Sequence, residues 1–157
     1  MRMLLVALLS ALLSANTLDA ANPPERAASL RRFFSWSSWA PQELRLALED
    51  YENGRLFDAA AAADRGLRSP EAQGFRDDLL LVRGLALAEL GWRKEAAESF
   101  SGILEASVPS PYYPLALLGL VESHHRGGRY EAVAAAYRRY FERPWRGGSR
   151  RDKLIRN

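Results

Sequence analysis

Cysteine is absent from the 157-residue sequence, and histidine occurs only as the adjacent pair His124 and His125. The lack of cysteine excludes disulfides, thiolate metal sites, cysteine nucleophiles and lipidation on an amino-terminal cysteine. Adjacent residues on a helix point about 100° apart, so these two histidines cannot share a metal ion as residues four apart can. The sequence therefore predicts no metal site, with His124 at the edge of a helical core.

Long apolar runs are also scarce, and the one at the amino terminus is short. Leu4 to Leu13 follow the positive charge of Arg2 and precede small polar residues, the order found in secretory signal peptides. These ten residues fall short of the ~20 that a membrane-spanning helix needs. We expect residues 1–21 to be a signal peptide of uncertain cleavage site and the protein to be periplasmic or secreted, in a bacterium, with no transmembrane span.

No catalytic constellation is found in the sequence. The acidic pairs Asp77-Asp78 and Glu49-Asp50 have no nucleophile or further acid placed opposite them. Carboxylates near the start of a helix interact favourably with its dipole, which accounts for Asp77 and Asp78. The glycine-rich "RGGSR" lacks the strand–turn–helix setting of a phosphate loop. We therefore predict that the chain is not an enzyme and needs no cofactor.

An internal repeat occupies the middle of the chain. The segments "GRLFDAAAAADRGL", "GWRKEAAESFSGIL" and "GRYEAVAAAYRRYF" begin at Gly54, Gly91 and Gly128, which are spaced 37 residues apart. Small or apolar residues follow each glycine after five, nine, twelve and thirteen positions, a spacing that forms one face of an α-helix. The residues before each glycine also have helical periodicity. The sequence thus predicts three helical hairpins.

A glycine stands at the turn of each predicted hairpin. A left-handed backbone is expected there, which a Cβ would penalise by about 1 kcal/mol. In the first hairpin the apolar stripe of Leu44, Leu48 and Tyr51 is one residue out of step with the other copies. This offset predicts that the first turn is one residue shorter.

The hairpins resemble the tetratricopeptide repeat (TPR) family over about residues 41–145. The shared features are a small residue in the first helix, the turn glycine, a small residue entering the second helix, an aromatic residue and a trailing proline. In the second and third copies they include Gly84 with the weaker match Val121, the aromatics Phe100 and Tyr137, and the prolines Pro109 and Pro144. The first copy departs at Ala63 and Gly66, and the period exceeds the family's usual ~34 residues.

The resemblance implies an all-α fold, a short right-handed α-solenoid of antiparallel helix hairpins. The approximate repeats are residues 41–70, 75–109 and 111–144. Residues 22–40 include the aromatic "RRFFSWSSWAP", which we interpret as a cap on the first hairpin; an exposed patch for a partner or a glycan is the alternative. Residues 146–157 are either a basic tail or the start of a fourth repeat.

In the TPR family the first helices line a concave groove that holds an extended peptide or a partner helix. Counted along the sequence from the turn glycines, the residues that match the groove positions of the family are Asp78, Leu81, Leu85, Ala88, Glu89, Leu115, Leu118, Glu122, His125 and Arg126. Some members of the family bind the terminal carboxylate of a peptide with lysine and asparagine. This sequence has leucines at those positions, which favours an apolar, helical ligand. Alternatively, these leucines pack against a missing neighbour, such as a fourth repeat or another subunit.

The functional expectation is an exported, non-catalytic scaffold for protein–protein interaction in the bacterial cell envelope. The pattern also resembles the helical region preceding the catalytic domain of some cell-wall lytic transglycosylases, in which case the chain positions substrate for an enzyme outside it. A third alternative is a peripheral membrane adaptor using the basic tail. We expect no nucleic acid partner, and at most a weak contact of the tail with an anionic surface.

Overall fold

The computed structural model describes residues 40–107 and 110–141. Over these ranges it contains helices and turns but no strand, which confirms the all-α class. The helices are α1 (Gln42–Glu52), α2 (Leu56–Arg68), α3 (Arg76–Glu89), α4 (Arg93–Leu104), α5 (Tyr113–Arg126) and α6 (Tyr130–Ala136). A 3-10 segment, Pro70–Phe75, precedes α3, and a π-helical turn, Tyr137–Phe141, follows α6. The predicted signal peptide, aromatic cap and basic tail lie outside the described residues, apart from Ala40.

The three hairpin turns have the same backbone conformation. Gly54, Gly91 and Gly128 have φ of 73°, 80° and 70°, the left-handed conformation that the sequence predicts for them. Each glycine N–H donates to the carbonyl three residues earlier, and the next N–H donates to the carbonyl five residues before it. These two hydrogen bonds define the Schellman motif, which satisfies carbonyls left open at a helix end.

The first turn is not shorter than the others, so that prediction is wrong. Arg55 N–H donates to the Asp50 carbonyl at 2.8 Å. Donor and acceptor occupy the same sequence positions relative to the glycine as in the other two turns. Ala47 lies buried seven positions before Gly54, as Gly84 does before Gly91. The small residue therefore marks the equivalent position in the first helices of the two hairpins. The larger Leu48 and Tyr51, which suggested an offset, are also buried.

An alanine at position 91 should destabilise the protein by about 1–2 kcal/mol, because its Cβ clashes with the backbone in the left-handed conformation. Beyond residue 91 and its two chain neighbours, no heavy atom lies within 4 Å of a Cβ built at Gly91, so the cost comes from the local backbone conformation. Gly74→Ala is the control, since Gly74 also has open space around it and does not have a positive φ. Urea denaturation measures both changes; equal destabilisation of the two variants would contradict a conformational cause.

Successive helices pack against one another, and α3 also contacts both α1 and α5. The first helices of the three hairpins are therefore neighbours. On α2 the buried face is made almost entirely of alanine and glycine, which allows α3 to approach closely. A Cβ on Gly66 would lie 2.8 Å from Leu79 Cδ2.

The Phe100 ring fills the centre of the core. Its side chain is 1% exposed. A Cβ built on Gly84 of α3 would lie 2.7 Å from Phe100 Cε1, and one on Gly119 of α5 would lie 2.6 Å from two of its ring carbons. Both neighbouring helices thus make room for the ring by lacking a side chain. In the third copy Val121 takes the position of Gly84, and the aromatic there, Tyr137, is 45% exposed.

Candidate functional site

The predicted groove residues define what we call the first-helix face. Its members on α3 are Asp78, Leu81, Leu85, Ala88 and Glu89, and its members on α5 are Leu115, Leu118, Glu122, His125 and Arg126. In each helix their spacing places them on one side. Because α3 packs on α5, the structure brings the two helices that carry these stripes together.

The members of the first-helix face differ widely in exposure. Leu81 is 0% exposed, so it belongs to the core and is not available to a partner. Leu85, Ala88, Leu115 and Leu118 are partly exposed. Toward the carboxyl ends of the helices, the charged and polar members are exposed: Glu89, Glu122, His125 and Arg126. The face thus offers an apolar middle with a polar end.

At the start of α3, Asp78 is held by a tyrosine. The Tyr112 hydroxyl donates to Asp78 Oδ1 at 2.6 Å and so ties the residue preceding α5 to the first turn of α3. Burial raises the pKa of Asp78, although this hydrogen bond acts in the opposite direction. Burial, followed by the hydrogen bond to Asp78, raises the pKa of Tyr112. Asp78 therefore joins two hairpins, a role that sequence position alone did not indicate.

At the other end of α3, Glu89 has a similar role. The Tyr51 hydroxyl of α1 donates to Glu89 Oε1 and joins the ends of α1 and α3. On α5, Arg126 pairs with Glu122 at 2.8 Å, one helical turn away. Exposed pairs of this kind contribute little to stability. They leave the end of α5 charged and accessible.

A second feature, absent from the sequence-based predictions, is a cleft of about 410 Å³ beside α4, which we call the second-helix cleft. One stripe of α4 lines it together with His124 and Arg129. The α4 residues are Lys94, Ala97, Glu98, Ser101 and Gly102, and Glu105 directly follows the helix. The signal for it was the run of small residues at helical spacing, Ala97, Ser101 and Gly102.

The second-helix cleft is open to solvent, and contacts from the third hairpin lie near both of its ends. Arg129 Nη2 donates to the Arg93 carbonyl at 3.2 Å at one end. At the other end Arg139 Nη2 lies 3.2 Å from Glu105 Oε1, to which the Tyr140 hydroxyl also donates, at 3.0 Å. His124 is half-buried, and its buried Nδ1 has no hydrogen-bond partner in the described part of the chain.

Within residues 40–107 and 110–141 no group of three or more histidine, aspartate or glutamate side chains is placed to hold a metal ion. The same ranges contain no helix with the length and apolarity required to span a membrane. Comparisons of the chain with protein-family models, curated proteins and solved structures find no match.

Proposed function

We propose that the chain is a TPR-like array of three helical hairpins that acts as a protein-binding scaffold, without a reaction of its own. The observation that carries this proposal is the repeated turn: three left-handed glycines 37 residues apart, each with the same pair of hydrogen bonds. In addition, α3 contacts both α1 and α5, so the first helices are neighbours, as stacked hairpins require.

Contacts between the hairpin turns also support a serial arrangement. The Phe57 ring at the start of α2 meets the Trp92 ring before α4 edge to face, with centroids 5.4 Å apart. Arg129, which precedes α6, donates to the carbonyl of Arg93 at the start of α4. Neighbouring hairpins therefore touch close to equivalent positions, just after their turn glycines.

The proposed binding surface is the first-helix face, without Leu81. Leu85, Leu115 and Leu118 are apolar and partly exposed, and burying a leucine fully contributes ~1.5–3 kcal/mol. Glu89, Glu122 and Arg126 supply a charged end. A partner helix with an apolar stripe and a polar flank fits this pattern. Because packed helices hold the face in place, binding loses little free energy to ordering the scaffold.

Replacing Leu85 and Leu118 by glutamate should abolish partner capture, since both charges would fall in the apolar middle of the face. Leu81 is unsuitable for this test because its burial would turn the substitution into a folding defect. Leu46→Glu on α1 is the matched control, as Leu46 is 37% exposed and lies outside the first-helix face. The measurement is quantitative mass spectrometry of proteins captured from a cell-envelope extract by each immobilised variant, with circular dichroism to check helicity.

A partner retained by the original protein and by Leu46→Glu, and lost by the double variant, supports the proposal. Equal capture by the double variant, with helicity intact, refutes the first-helix face as the binding surface. We also propose, from the sequence of residues 1–21, that the protein is exported, which mass spectrometry of the protein from its source tests. A protein purified from its source that still carries Met1 and residues 2–21 contradicts signal-peptide removal.

A further inference from the structure

The second-helix cleft is separate from the first-helix face, with which it has no residue in common. Three of its lining residues on α4 are small, namely Ala97, Ser101 and Gly102. Its volume of about 410 Å³ lies within the ~300–1,000 Å³ typical of small-molecule sites. The cleft therefore has room for a small ligand beside α4.

Positive charge gathers at the end of the cleft near the turn. Lys94 stands in the first turn of α4, and Arg129 holds the neighbouring Arg93 carbonyl. Across residues 40–107 and 110–141, neither Lys94 nor Arg129 has a carboxylate partner. One guanidinium nitrogen of Arg129 donates to a backbone carbonyl, and the group has further N–H donors. Two cations thus line the cleft without an ion-pair partner in the described ranges.

Negative charge lies farther along the same cleft. Glu98 is one helical turn beyond Lys94 and makes no ion pair within the described ranges, while Glu105 at the far end is neutralised by Arg139. A second anionic group on a ligand would therefore meet the Glu98 carboxylate. This arrangement favours a ligand with one negative charge at one end and a neutral body.

We propose that the second-helix cleft binds a small organic monocarboxylate, whose carboxylate lies between Lys94 and Arg129 and whose neutral body lies over Ala97, Ser101 and Gly102. Carboxylates accept charge-assisted hydrogen bonds from arginine and lysine, which are shorter and stronger than neutral ones. The site acts independently of partner binding at the first-helix face, so either proposal can fail alone.

N-acetylglycine is the probe, and its amide, N-acetylglycinamide, is the matched ligand without the charge. Titration followed by backbone amide shifts of Ser101 and Gly102 should saturate with N-acetylglycine at millimolar concentration. The amide, the dicarboxylate succinate and inorganic phosphate should each bind at least tenfold more weakly. Binding should also raise the pKa of His124, which burial and then the charge of Arg129 hold below its ordinary value.

Lys94→Gln should weaken N-acetylglycine at least fivefold, and Arg45→Gln, which removes the same charge from α1, should leave it unchanged. Lys94 makes no hydrogen bond or ion pair in the described ranges, so its removal leaves the fold intact. Equal binding of the acid and the amide, phosphate binding as tight as N-acetylglycine, or the same loss in both variants overturns the proposal. Shifts that do not saturate also overturn it.

Discussion

Phe100→Ala should lower the free energy of unfolding by about 3–5 kcal/mol, the range for removing a fully buried phenylalanine. The ring touches α3 and α5 at two glycines, which have no side chains to move into the space that it leaves. The resulting cavity would therefore persist, and the loss should fall at the upper end of the range. Since small domains are stable by only ~5–15 kcal/mol, the midpoint of thermal unfolding should fall sharply.

Phe57→Ala provides the matched control for this change. Phe57 is 60% exposed and its described ring contact is the edge-to-face contact with Trp92. An aromatic pair contributes about 0.5–1.5 kcal/mol, so the control should cost no more than that. Chemical denaturation of both variants gives the comparison. A loss at Phe100 no larger than the loss at Phe57 would mean that the ring does not hold the second and third hairpins together.

Gly119→Val should destabilise the protein by about 1–3 kcal/mol through overpacking, because the new side chain would meet the Phe100 ring. Even the Cβ alone would lie 2.6 Å from two ring carbons, closer than carbon atoms approach without strain. Alanine is a less clear test, since its better helix propensity would offset ~1 kcal/mol of the strain. Valine adds bulk with only a small gain in propensity.

A double-mutant cycle identifies the cause of that loss. Phe100→Leu shortens the side chain that Gly119 faces, so the valine should cost less in the leucine background, with a coupling of about 0.5–3 kcal/mol. Ala134→Val on the exposed side of α6 measures the propensity cost of valine relative to alanine, from which the propensity change at position 119 follows. Additive effects of Gly119→Val and Phe100→Leu would contradict direct contact between the ring and residue 119.

The hairpin turns could be predicted from sequence because their determinants are local. A glycine after an apolar run at helical spacing marks both the end of one helix and the left-handed residue that ends it. The predicted shorter first turn was wrong because Leu48 and Tyr51, the large apolar residues of α1, do not mark the repeat position. The residue equivalent to Gly84 is Ala47, and small residues at close helix contacts give little hydrophobic signal.

The candidate site was less predictable, because exposure and polar partners depend on how hairpins pack. Leu81 belongs by spacing to the same stripe as Leu85, yet contacts from other helices bury it completely. Asp78 and Glu89 match groove positions by spacing. In the structure, however, tyrosines distant in sequence donate hydrogen bonds to their carboxylates. The second-helix cleft likewise depends on where Arg129 and Arg139 reach α4, which no periodicity records.

The partnership of Phe100 with Gly119 has a consequence for evolution and engineering of the chain. In the proposed repeat, Val82 of α3 is equivalent to Gly119 of α5, and Ala63 of α2 is equivalent to Phe100 of α4. Tandem duplication of the middle hairpin would set Phe100 against a second Val82. Under the proposed repeat architecture, complementary side-chain volumes at these positions would fix the order of the hairpins, which could not be exchanged without strain.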